Sequence, residues 1–564
     1  MCIYVSLECD PAHTKRARYA FEVLFDTLGF PYSFLDSDEH GDRAQSILIA
    51  YGKAGDLKNR SKERPGSILI CDDWVEDIDQ IKVGILSNPR GKKLSVLGRR
   101  ADEVTQEISA SAHSPVVVEK DLIFSSFFFL SRWEEVESKV ADKHGRFPTR
   151  ESISHQHRFS RRAVVNQYLQ LLFQMISQIA RARKIPLLRK CFWPDGEKLA
   201  VCLTHDVDII QKWYLYSLVR SLELVKTGQL SSLGKTLWGI FKGFVSRENP
   251  ALSFEQMTSV EEGFSFKSSF YFMMGKPGLQ ALLSSDITYD LARPEILRKA
   301  KEILGKGFEV GLHASYNTFL DSQALREEKK ELEHLIESPV SGLRQHFLRA
   351  RFSESWIDQK ECGFSYDTSL GFADEAGYRA SLAFPFYVYD LQNDRKLDFM
   401  ELPLVVMDRT YSKYLSFSPG EIKKDIIRMF TELEDFGGLA TILWHTHMVE
   451  ALGFPGYPRL YEEILDFVHQ RGYFVAPGKE IADWWRKRKN LEFRSQAGQD
   501  GRFVWECHAS DSLERLSLEV VGVRAGEVSV NGCNCTIVRD GQSTILKLGQ
   551  IEKGAKITLA TEIE

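Results

Sequence analysis

The chain has 564 residues, 43% of them hydrophobic and 27% charged, with a formal net charge of −5. That length calls for two to four domains. The balance is that of a soluble globular protein, and the absence of a basic excess argues against nucleic acid as a partner. The nine cysteines are scattered and odd in number, which argues against a disulfide framework and for a reducing compartment. Cys533 and Cys535 form the one close pair. Structural zinc sites are usually built from two such pairs, so this one reads as two strand residues. The N-terminus lacks a basic segment followed by an apolar one, so no signal peptide is expected and a cytoplasmic location is. No stretch approaches the roughly 18 uninterrupted apolar residues of a membrane span.

Residues 1–150 mix short apolar runs, SILIAY at 46–51 and SILICDDW at 67–74, with a helical pattern over 17–29 that stops on Gly29. They read as a small α/β accessory domain. The aromatic run at 124–137, FSSFFFLSRWEEVE, leads into a helix, and DKHGRFP at 142–148 is a turn-rich break. Residues 151–189 read as a helical linker, with a long helix over 161–183. From 190 to 490, strand-like runs at 199–206, 268–274, 308–314, 340–347, 398–407 and 439–447 alternate with helical patterns such as 293–307 and 324–338. That alternation predicts parallel β/α architecture, a distorted (β/α) barrel. Within it, residues 213–244 are rich in Leu, Trp and Phe with interspersed Lys. They read as an amphipathic helix pair, contact with a membrane surface being the other reading. Residues 491–564 show short alternating runs between Gly, Asp and Ser turns, the pattern of a small β-sandwich.

The apolar run at 199–203 ends in Thr204-His205-Asp206-Val207-Asp208. On an extended segment, positions i and i+2 share a face, so Asp206 and Asp208 lie side by side. Two carboxylates that close repel unless a proton or cation lies between them. A divalent metal would take one and leave the other as a base; loop aspartates capping helices are the ordinary alternative. His313 in GLHASYN, Arg344 and His346 in GLRQHFL, and His445 and His447 in LWHTH also fall at the ends of predicted strands. Each alone would pass as structural. In a barrel, those ends converge on one face, where barrel active sites lie.

Over about residues 195–480, these segments resemble the polysaccharide deacetylases, carbohydrate esterase family four with the NodB-type fold. The stretch THDVD is similar to the family's first motif, which implies Asp206 as general base and Asp208 as metal ligand. The second motif normally supplies two histidines a helical turn apart. His313 matches the first and Asn317 stands at the second, so the implied ligands are Asp208, His313 and a third group, Asn317, His205 or water, Asn317 being a weaker donor than imidazole. Arg344-Gln345-His346-Phe347 resembles the Arg-x-Pro-aromatic motif with His for Pro, and Arg344 would hold Asp206. Leu443-Trp444-His445 resembles the closing Leu-His motif with one residue inserted, which implies His445 as general acid. His205, His346, Tyr378, Arg379, Trp444 and His447 are candidates for lining a sugar pocket. The N-terminal region also resembles a domain that precedes this one in a bacterial branch of the family, through FFFLSRWEE and DKHGRF, with RQHFLR, GYRAS and PFYVYD later in the chain.

The resemblance implies metal-dependent hydrolysis of an N-acetyl group on a sugar of a surface polysaccharide or its precursor, with zinc as the expected metal. An N-acetyl amide is stable, and its hydrolysis needs an activated water, a stabilised oxyanion and a protonated leaving nitrogen. The expected partner is an acetylated sugar, glycan or glycolipid precursor, with a homo-oligomer left open. Two rival readings stand beside this one. Asn317 and the inserted residue favour a catalytically silent glycan-binding or scaffold protein. An amidohydrolase acting on a small non-sugar amide keeps the fold, but would hardly need the flanking domains.

Overall fold

The computed structural model describes residues 3–35, 46–60, 66–88, 91–105, 114–211, 213–226, 228, 230–246, 249–252, 254–275, 289–497, 503–523, 525–540 and 543–563. In the central region, ten strands form one curled sheet, numbered here in chain order. They are β1 (Leu199–Val207), β2 (Ser269–Phe272), β3 (Glu309–Ala314), β4 (Gly342–Gln345), β5 (Tyr366–Asp367), β6 (Phe386–Asp390), β7 (Arg395–Glu401), β8 (Leu404–Met407), β9 (Gly438–Leu443) and β10 (Phe474–Ala476). The order is β6-β7-β5-β4-β3-β2-β1-β9-β8, with β10 also pairing β1. Every pair is parallel except β6 with β7.

β1 organises this sheet. All nine of its residues are buried, as a parallel strand covered on both faces requires, and this is why its sequence reads as a near-continuous apolar run. Its first half pairs with β9 and β10 and its last four residues with β2. The single strand expected over 398–407 is two strands, because Pro403 has no N–H to give to a ladder. β7 lies beside β5, and β8 lies beside β9 at the other edge. The two-residue link 402–403 carries the chain from β7, second from one edge, to β8 at the other. Leu402 N donates to Asp367 O at 2.9 Å and Leu404 N to Leu370 O at 3.0 Å. The curl is thus completed by covalent chain rather than by strand pairing.

The N-terminal region holds a five-stranded parallel sheet in the order 32–34, 3–8, 47–52, 68–71, 116–118, and a three-stranded sheet of 93–98, 82–87 and 103–105. The helix Thr14–Leu28 stops on Gly29 at φ 80°. A Cβ there would come within 2.4 Å of Lys190 O, so glycine suits both the left-handed turn and the close approach. The aromatic run is itself a helix, Leu122–Ser131, wholly buried and N-capped by Asp121. The segment expected as a helical linker contains the helix Val164–Ala182 but ends in a strand, Leu187–Lys190. That strand pairs with Ser517–Val521, so it is the edge of a C-terminal four-stranded sheet with 543–548 and 535–540. The other C-terminal sheet runs 492–497, 503–508, 556–563, 525–531.

A buried ion network ties the N-terminal region to the central one. Arg132 pairs with Glu134 at 2.8 Å and Glu135 at 2.7 Å. Arg379, from the loop after β5, donates Nε to Glu135 Oε1 at 2.8 Å and Nη2 to Glu135 Oε2 at 2.6 Å. Arg379 also donates to Gly371 O at 3.0 Å, and Arg132 to the Arg379 carbonyl. Burial alone would push the Glu135 carboxyl up, but Arg379 and Arg132 reverse this and hold it below the usual carboxylate value. Arg379 is therefore committed to Glu135, not to a sugar pocket. Such a network is tolerated because each charge is matched, and removing one partner leaves the rest unpaired. Arg379→Met is expected to cost about 3–5 kcal/mol in urea unfolding, with part of the loss recovered in the pair Glu135→Gln, Arg379→Met. A shift in the single variant below about 1 kcal/mol, the scale of an exposed pair, would show that the network does not hold the two regions together.

Candidate active site

The alternation of β1 sorts its final residues. Thr204 and Asp206, with Asp208 just past the strand end, face one way; His205 faces the other. The same rule applies on β4, which puts Arg344 and, just beyond its end, His346 on one side. His313 on β3 is in register with Arg344. Two layers result. In the inner layer Asp206 Oδ1 lies 3.3 Å from Arg344 Nε, and Arg344 Nη2 donates to Thr204 Oγ1 at 2.7 Å. Asp206 Oδ1 and Arg344 Nε complete no hydrogen bond among the described residues, so charge holds the pair and leaves that oxygen an acceptor to spare.

In the outer layer Asp208, His313 and His346 bring one ligand atom each within 4.8 Å of one another. His313 Nδ1 donates to Arg344 O at 3.0 Å, which fixes the ring and aims Nε2 at Asp208 Oδ1, 3.2 Å away, and Asp206 Oδ2, 3.6 Å away. Burial opposes charge on Asp208, yet the His313 hydrogen bond and the imidazoles of His445, His313 and His346 hold its carboxyl well below the usual range. Burial likewise lowers His313, and Asp206 and Asp208 raise it overall. A place where a proton sits between carboxylate and imidazole suits a divalent cation. Two imidazoles and a carboxylate are also the donor set of zinc sites that keep a position open. Asn317, expected as the third ligand, is exposed in the turn Tyr316–Thr318. His346 stands in its place beside Asp208 and His313.

Across from Arg344, His445 follows β9 and His447 lies two residues on. His445 Nε2 is 3.6 Å from Asp208 Oδ2. Asp408, fully buried and directly after β8, accepts from the His445 backbone N–H at 2.6 Å and pairs with Nδ1 at 2.6 Å. Burial works against the imidazolium, but Asp408 outweighs it, helped by Asp208 and Asp206, and the His445 pKa is pushed up to about 9. His447 is the opposite case: burial and the neighbouring His445 hold it well below its ordinary value, so it is a neutral ring 4.0 Å from Asp208.

The other expected pocket residues lie elsewhere. His205 is fully buried on the far face of β1, with Nδ1 at 2.7 Å from Trp444 O and Nε2 at 2.7 Å from Glu261 Oε1. Both nitrogens are consumed, so it pins the sheet to the helix Glu255–Gly263. Trp444 is buried against Tyr461 and Tyr457. Tyr378 is buried in the apolar cluster that includes Ile422, Ile426 and Met429. Sequence reasoning missed Asp408, and it placed His346 in the sugar pocket rather than beside Asp208 and His313. Both carry the signal used elsewhere: Asp408 follows an apolar strand directly, and Arg-x-His repeats the two-residue spacing of Asp-x-Asp.

Comparison with known proteins adds a sequence family and several distant folds. A family of unknown function, DUF7033, matches residues 7–181. No curated protein matches the chain. Among solved structures, a candidate polysaccharide deacetylase from Mycobacterium smegmatis is similar at 19% identity over 53% of this chain and 93% of that one, with a TM-score of 0.35. The catalytic domain of a peptidoglycan N-acetylglucosamine deacetylase from Eubacterium rectale is similar at 11% identity over 50% of this chain and 89% of that one, with a TM-score of 0.25. A CE4 family pseudoenzyme from Bacillus anthracis is similar at 11% identity over 51% of this chain and 66% of that one, with a TM-score of 0.27. With TM-scores this low, the functional reading rests on this chain's own side chains.

Zinc affinity separates the two candidate third ligands. His346→Ala is expected to weaken zinc binding at least about tenfold, while Asn317→Ala leaves it unchanged, as read by competition with a chromophoric chelator. The reverse pattern would return Asn317 to the site.

Proposed function

We propose that this site hydrolyses the N-acetyl group of a sugar in a glycan or glycan precursor, with a divalent metal, zinc by its donor set, held by Asp208, His313 and His346. One observation carries the reading. A buried carboxylate paired to an arginine and a buried histidine paired to a carboxylate flank the same three donor residues, on neighbouring strands β1 and β9. A binding protein has no use for a matched base and acid.

The metal's contribution is Lewis acidity at the carbonyl and a more acidic water. Asp206 takes the proton of the attacking water; Arg344 charge-pairs with the carboxylate and orients it. His445, as the imidazolium, gives its Nε2 proton to the departing nitrogen. Asp408 holds the opposite ring nitrogen, so only Nε2 is available to the substrate.

Two measurements test this. With zinc supplied, acetate release from N-acetylated glycans should be detectable for the wild type and fall at least about 100-fold in Asp206→Asn, with zinc content retained. A zinc-loaded wild type that releases no acetate but binds the same glycans would transfer the case to the silent-binder reading. The second is pH dependence. An acid with a raised pKa is in its working form below that value and loses it as pH rises through it. The alkaline limb of kcat is therefore expected above the ordinary imidazole range, where the Asp408 carboxylate holds the imidazolium. Asp408→Asn removes the stabilising charge, and the limb should move down toward the ordinary imidazole range near 6.5. A limb that stays put would exclude His445 as the acid.

A further inference from the structure

Between β1 and β2 the chain inserts two helices, Trp213–Lys226 and Leu230–Ser246, starting five residues after Asp208. Their inner sides dock on the turn that follows His445 and His447. Ser217 Oγ donates to Ala451 O at 3.4 Å, and Tyr216 lies against His447 with ring centroids 5.4 Å apart. A Cβ on Gly239 would sit 2.5 Å from Ala451 Cα, so the second helix touches that turn backbone to backbone.

Their outer sides are inverted. A surface helix ordinarily turns its polar side to water. Here Leu215, Leu218, Val219, Leu222 and Val225 on the first helix, and Leu237, Trp238, Phe241, Phe244 and Val245 on the second, recur at helical spacing and are exposed. With Leu230, the hairpin holds eleven of the seventeen exposed large apolar side chains among the described residues. Apolar exposure on this scale marks an interaction site. Charge says what kind. Residues 213–246 contain Arg220, Lys226, Lys235 and Lys242 against Glu223 alone, a net of +3 in a chain of net −5. A two-fold contact with a second copy would press this basic surface on itself, whereas anionic lipid headgroups complement it. Neither helix is long and apolar enough to cross a membrane, and apolar faces bearing Trp and Phe beside lysines are the make-up of a helix lying in the interface plane.

We propose that the hairpin 213–246 docks on the surface of an anionic lipid bilayer. The proposal stands on the hairpin alone and does not depend on the deacetylase reading. The test is co-sedimentation of the full chain with phosphatidylcholine vesicles, with and without phosphatidylglycerol, at low and high salt. The wild type should bind the phosphatidylglycerol vesicles, less so at high salt, with a blue shift of tryptophan emission. The variant Trp238→Glu, Phe241→Glu, at positions 65% and 56% exposed and so outside the core, should bind about tenfold more weakly or less still. Lys235→Glu, Lys242→Glu should lose the preference for anionic lipid. Asp208→Asn should bind vesicles as the wild type does, which separates this proposal from the fate of the catalytic reading. A wild type left in the supernatant overturns the proposal. So does vesicle binding that the Trp238/Phe241 variant retains in full. Self-association that this variant abolishes, without vesicle binding by the wild type, would assign the face to a second copy instead.

Discussion

The site depends on one geometric constraint, the two-residue period of an extended chain at the point where it leaves a sheet. Asp206 and Asp208, and Arg344 and His346, each use it, so these two strand ends offer a deeper side chain and a shallower one. The deep members Asp206 and Arg344 neutralise each other at 3.3 Å, in a setting where an isolated charge would be prohibitive. The shallow members Asp208 and His346 collect beside His313. A slip of one residue in β1 would exchange this set for His205 and Val207 and dismantle both layers together. The register is secured by the all-apolar first half of β1, which pairs with two parallel neighbours at once.

That constraint also explains what was legible in the sequence. The strand ends that carry chemistry could be picked out because apolar runs stop abruptly at polar residues, and the structure gathers Asp206, Asp208, His313, Arg344, His346, His445 and His447 in one place. Sequence misleads where burial on the far side of a strand mimics proximity along the chain. His205 and Trp444 adjoin site residues along the chain, yet alternation sends them into the core, where Glu261 and Tyr461 receive them. Asn317 stands where the resemblance implies a second ligand, but the chain leaves β3 in a tight turn rather than a helix, and the position ends in solvent. The short strands β5 and β10, of two and three residues, give no periodicity to read.

The stretches FFFLSRWEE, DKHGRF, RQHFLR, GYRAS and PFYVYD share a physical role. Arg132 and Glu135 of the first are bound to Arg379 of GYRAS. His144 of DKHGRF stacks on Phe347 at 4.6 Å, and Arg146 donates to the Phe347 carbonyl, within the segment that carries His346. Tyr19 and Phe127 pack on Tyr389, and Tyr19 donates to Tyr387 O, in PFYVYD. Each pair is one side of an interface and its counterpart. The N-terminal region is thus a brace that holds the turn after β4, next to His346, from outside.

The link 402–403 gives the central sheet the mechanics of a hoop closed by a clasp. The strands on either side of the clasp belong to the two functional halves: the path from β7 leads through β5 to β4 with Arg344 and His346, and β8 leads to Asp408 and, through β9, to His445. Hydrogen-bonded strands set most of the circumference, and the remaining arc is set by two residues, one of them a proline of nearly fixed φ. The distance across the mouth, from the arginine side to the imidazolium side, is therefore governed by the length and stiffness of a short piece of backbone that carries no chemistry of its own.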